Sequence, residues 1–92
     1  MIQNKKSEEL LRFIQWANEE RELMEEVERA DEALKTMIDI AERFEDFGFK
    51  KAAKRLYKEI ELTQIGKIKT ELEINKLRIK MLEFQLKEMQ ED

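Results

Sequence analysis

Without cysteine or histidine, the 92-residue chain has only carboxylates, amines, guanidinium groups, hydroxyls and amides with which to do chemistry. Thiol nucleophiles, disulfides, thiolate or imidazole metal sites and every triad that uses imidazole as base are therefore excluded. No glycine-rich loop is present to cradle a phosphate. The clearest charged grouping is basic: Lys50, Lys51, Lys54, Arg55 and Lys58, followed by Glu59. Such a cluster attracts the phosphates of nucleic acid or of an anionic membrane surface. The overall charge is −4, only Tyr57 interleaves with the bases, and Asp39, Glu42, Glu45 and Asp46 lie close in sequence. The patch therefore reads first as an answer to those acids, and nucleic-acid binding is the secondary reading.

Asp46-Phe47-Gly48 spells the metal-binding tripeptide of protein kinases. That fold also requires a glycine-rich loop, a strand lysine and a catalytic loop, which a chain of this length and composition does not contain, so the match is one of chance. Carboxylates on facing helices hold two metals in ferritin-like bundles, but those sites pair glutamate with Glu-x-x-His. With no histidine here, neither a metal nor another cofactor is expected, and the chain is read as non-catalytic.

Positioning any of these residues falls to helices. No proline and only Gly48 and Gly66 leave too little turn chemistry for a sheet fold, while 41% hydrophobic content is enough to drive folding. One domain, residues 1–92, is expected to be all-α: a helix over 7–46, a turn at 47–48 and a helix over 49–90. Gly48 near the midpoint can take the positive φ of a helix C′ position, which folds the chain into an antiparallel, coiled-coil-like hairpin. An alternative places a helix N-cap at Asn18, ahead of Glu19 and Glu20, giving a three-helix bundle with a short N-terminal helix.

In the first arm, spacings of three and four connect Phe13, Trp16, Glu20, Leu23, Val27, Ala30, Leu34, Met37, Ala41 and Phe44. This is a heptad seam with Glu20 as its only polar member. The second arm begins Phe49, Ala53, Leu56, Ile60. Its apolar residues then continue after a phase change near Gln64 through Ile65, Ile68, Leu72, Asn75, Ile79, Leu82, Leu86 and Met89. Gly66 sits at that change and leaves room for a bend or fraying there in a helix that is read as continuous. Residues 1–46 carry 7 bases and 14 acids, and residues 47–92 carry 11 and 8. Antiparallel arms whose facing residue numbers sum to about 95 would set Glu28 beside Lys67, Glu26 beside Lys69 and Glu19 beside Lys76.

Around the turn, Met37, Ile40, Ala41, Phe44, Gly48, Ala53, Tyr57 and Ile60 match the spacing of the helix-turn-helix unit of a tetratricopeptide repeat. The stretch AERFEDFGFKKAAKRLYKEI also resembles the hairpin of MIT domains. The resemblance covers about a quarter of the chain and implies close helix approach at Ala41 and Ala53. No second repeat and no later proline follow, so a stacked peptide-binding array is not implied. Secretion substrates of the WXG type are similar in size and shape, but their central Trp-x-Gly is absent.

Beyond its seam the second arm carries Ile74, Leu77, Met81 and Phe84, a further stripe on the opposite side of the helix. Leu10, Leu11 and Ile14 enlarge the apolar end around Phe13 and Trp16. One partner helix cannot cover both stripes. The expectation is a homodimer, two hairpins forming a four-helix bundle through Leu10, Phe13, Ile14, Trp16, Ile74, Leu77, Met81 and Phe84. A heteromeric protein partner would answer the same surplus. Asn75 on an apolar seam is the kind of residue that fixes register or oligomer state. No eighteen apolar residues run together, so no membrane span is expected, and the chain reads as cytoplasmic. The function read from these features is an interaction, adaptor or scaffold role.

Overall fold

The computed structural model describes residues 2–91, with side chains from residue 6 onward. Two helices make the fold: α1, Ile2–Asp46, and α2, Lys50–Gln90. They pack against each other as an antiparallel hairpin measuring 69 × 17 × 14 Å. No glycine or proline interrupts the chain before Gly48, so α1 extends five residues further toward the N-terminus than the expected start at residue 7. It also runs unbroken through Asn18, which corrects the three-helix alternative. Trp16, Ala17 and Glu20 on either side of Asn18 are half-buried, whereas Asn18 itself is exposed on the outer face. Breaking the helix there would forfeit a packed seam in exchange for one cap.

The turn is built by the backbone. Gly48 has φ +83° and donates its N–H to the Glu45 carbonyl at 3.0 Å, while the Phe49 N–H reaches the Phe44 carbonyl at 2.8 Å. These two bonds are the paired closures of a Schellman motif. The Phe44 and Phe49 rings complete it with an edge-on contact, centroids 6.3 Å apart. Phe49 stays outside α2 as its N-cap, its carbonyl accepting from the Ala53 N–H at 3.0 Å. The turn therefore holds Phe47, Gly48 and Phe49, one residue more than expected, and the fold-back is centred on Gly48.

The α1 seam lies where the spacing placed it. Every member from Phe13 to Phe44 is half-buried or buried, with Leu34 and Ala41 most enclosed. The α2 seam does not follow its apolar residues. From Ala53, Leu56 and Ile60 the heptad continues without a phase change through Thr63, Lys67 and Thr70 to Ile74, Leu77, Met81 and Phe84, all half-buried or buried. Two local devices make polar seam positions tolerable. The Thr63 and Thr70 hydroxyls donate to the Glu59 and Gly66 carbonyls one turn back, at 2.9 and 3.1 Å, and Lys67 carries its ammonium out to Asp31. Among the described residues no buried side-chain nitrogen or oxygen lacks a partner.

This reverses the two faces of α2. Ile74 and Leu77, expected to await a partner, are buried against α1, and Phe84 stacks at a tilt on Phe13 with centroids 5.2 Å apart. Ile65, Ile68, Leu72, Ile79, Leu82, Leu86 and Met89, expected to face α1, are exposed.

The register shifts as well. Cross-helix ion pairs join Glu9 to Lys87, Glu20 to Arg78 and Asp31 to Lys67, one to three residues beyond the expected alignment. The three acids are spaced eleven apart, about three turns, and so form one line along α1. The extra turn residue and the interlocking of the two seams set this alignment, and the charges follow it.

Candidate interaction surfaces

The largest feature left open by the hairpin is the back of α2. Ile65, Ile68, Leu72, Asn75, Ile79, Leu82, Leu86 and Met89 recur at alternating intervals of three and four, and all are exposed, Leu82 by 63% and Met89 by 78%. The stripe runs for about 36 Å and lies about 150° around the helix from the buried seam. It therefore has the spacing of a second coiled-coil seam with nothing on it. Full burial of a large aliphatic side chain contributes about 1.5–3 kcal/mol, and these are roughly half exposed, so the stripe withholds on the order of 1 kcal/mol per residue.

Lys69, Lys76 and Glu83 border one edge of the stripe and Glu71, Arg78 and Gln85 the other. Arg78 is held from the α1 side, its Nε donating to Glu20 Oε2 at 2.7 Å with Nη2 3.6 Å from the Met24 sulfur. Glu71 contacts Lys67 one turn back at 3.8 Å. Lys76 and Glu83 enter no ion pair among the described residues.

A smaller apolar area lies near the far end of α1. Leu10, Leu11 and Ile14 are exposed there. Their neighbours Phe13 and Trp16 are half-buried, and Trp16 sits in an open groove with Arg12, Lys80 and Phe84. Of the eight residues expected to form one interface, Leu10 and Ile14 remain outside, whereas Phe13, Trp16, Ile74, Leu77, Met81 and Phe84 belong to the packing between α1 and α2.

At the turn end, Lys50, Lys51, Lys54, Arg55 and Lys58 are all exposed. Lys51, Lys54, Arg55 and Lys58 surround one open depression, and Lys50 and Lys54 share another with Glu45 and Tyr57. None of the five lies in an ion pair among the described residues, and Asp39 pairs with Arg43 of its own helix at 3.3 Å. The expected neutralisation by acids across the hairpin is therefore not made as direct contacts. The acids act on Tyr57 instead. Its hydroxyl is pushed above the ordinary 10.0 by burial first and then by the Glu45 carboxylate, with Glu42 and Asp46 adding to it.

Among the described residues no group of three acids converges closely enough to hold a metal ion. None of the helices is long and apolar enough to cross a membrane, again among the described residues. No protein-family model, curated protein or solved structure matches the chain.

The back stripe is visible in the sequence as a run of apolar residues, but hydrophobicity alone sets it on the wrong side of α2. The signal that places it correctly is the uninterrupted heptad count from Ala53, which passes through two threonines and a lysine to reach Phe84.

Proposed function

We propose that this chain is a non-catalytic association module, an adaptor or scaffold whose working surface is the back of α2. The observation that carries this reading is the exposed stripe from Ile65 to Met89, regular over its whole length and apolar except at Asn75. Apolar side chains scattered singly on a surface need no explanation, but a contiguous line at seam spacing does. The hairpin exposes 7869 Å². A compact monomer of 11.2 kDa would expose about 5,700 Å². The excess, about 2,200 Å², exceeds what one partner loses in a standard interface.

The test is site-specific photo-crosslinking in cells that express the chain. A photoreactive residue at Ile68 or Leu82 is expected to capture protein, and one at Glu25 on the outer face of α1 is not. Capture at neither stripe position would remove the basis of the reading.

A second reading, a helical regulator associated with nucleic acid, is favoured by the five cations at the turn that enter no ion pair among the described residues. Its expected signature is salt-sensitive retention on DNA or RNA that disappears in Lys51→Glu/Lys54→Glu/Arg55→Glu. No retention at low salt dismisses it.

A further inference from the structure

The stripe on the back of α2 has an internal design that points to its occupant. Counted as a heptad seam, it places Ile65, Leu72, Ile79 and Leu86 at one core position and Ile68, Asn75, Leu82 and Met89 at the other. A surface for lipid would present a broad apolar face under a polar one rich in bases. This one is two residues wide, is bordered by charges of both signs and has an amide in its middle.

We infer that the stripe pairs with the stripe of a second copy, the two α2 helices lying parallel and in register. The inference rests on the reading of this face as an association surface and adds its partner and orientation. Two observations favour the parallel arrangement. In it Asn75 meets Asn75 of the second copy, so each amide finds a partner; run antiparallel about the stripe's centre, each Asn75 faces an isoleucine and is left unsatisfied.

The bordering charges agree. In the parallel register Glu71 meets Lys76 of the second copy and Arg78 meets Glu83, each twice by symmetry, with no like charges opposed. Antiparallel helices would join Lys69 to Glu83 but would set Lys76 against Lys76 and Arg78 against Arg78. Toward the turn the same helix lines run into Glu61, Lys58, Lys54 and Lys51, each of which would meet its own like charge in the second copy, so the pairing is expected to end where the stripe does.

The absence of cysteine makes the test direct. Under mild oxidation, Met89→Cys alone is expected to form a disulfide-linked pair, as is Ile65→Cys alone, and a mixture of the two variants is expected to yield no cross-disulfide. Sedimentation of the unaltered chain is expected to give the mass of two copies. Lys76→Glu, which sets acid against acid twice, is expected to weaken pairing about tenfold, and Glu71→Lys in the same chain to restore it. A cross-disulfide between Ile65→Cys and Met89→Cys overturns the orientation. A chain that stays monomeric while stripe positions capture a different protein, or that sediments with anionic vesicles instead, overturns the self-pairing. The first of those outcomes leaves the association reading standing, and loss of all protein capture removes both.

Discussion

At Gly48 an added methyl would meet no atom within 4 Å, yet it would be held at φ +83°, where L side chains are strained. The expected loss for Gly48→Ala is about 1–2 kcal/mol of stability, owed to the backbone alone. Gly66 is the opposite case. It is exposed inside α2 with nothing within 4 Å and ordinary helical geometry, so Gly66→Ala is expected to gain about 1 kcal/mol. Chemical denaturation of the two variants measures both. A second pair of residues links structure to pH. The Lys67 ammonium is held above its ordinary 10.5, chiefly by its hydrogen bond to Asp31 and against the pull of burial, and Tyr57 is held above 10.0. For each, the folded chain keeps its proton more tightly than the unfolded one. The stability they contribute is full below those ordinary values and is lost as pH rises through the raised ones. Melting temperature is therefore expected to fall on the alkaline side, and the lone tyrosine's absorbance to titrate at higher pH folded than unfolded.

For α1, residue type and position agree, and its seam from Phe13 to Phe44 was legible residue by residue. The turn was legible too, because only Gly48 can take the conformation that closes it. For α2, type and position part company. Thr63, Lys67 and Thr70 hold seam positions because their polar atoms are satisfied beside the seam, while seven aliphatic side chains lie in water. Hydrophobicity without the position count therefore chose the wrong face from Ile65 onward. The surplus itself was legible, and only its side was not. The neutralisation expected for Lys50, Lys51, Lys54, Arg55 and Lys58 also failed, because sequence proximity does not fix long, flexible side chains on one partner. Leu77 and Leu82 separate the two faces in an experiment. Leu77→Ala, 7% exposed, is expected to cost the dilute hairpin about 2–5 kcal/mol. Leu82→Ala is expected to leave the dilute hairpin's unfolding within about 0.5 kcal/mol and to weaken association instead.

The molecule as a whole is a rod with a thin interior. Six hydrophobic residues are buried among those described, and no large side chain is fully enclosed. They fall in two places. Leu34, Ala41, Ala53 and Ile60 lie toward the turn, where Leu34, Ala41 and Ile60 form a cluster with Met37 and Leu56, while Ile74 and Leu77 lie in the far half. Between them α2 offers only Thr63, Lys67 and Thr70 to its neighbour. A hairpin built this way works like a pair of tongs, joined at the pivot by the Schellman turn and gripped a second time beyond a polar waist. With a polar waist between the two grips, the second is expected to release more readily than the first, the tips parting while the pivot stays shut. Amide exchange is expected to record this as openings around Ile74 that need less free energy than those around Ala41 and Ala53.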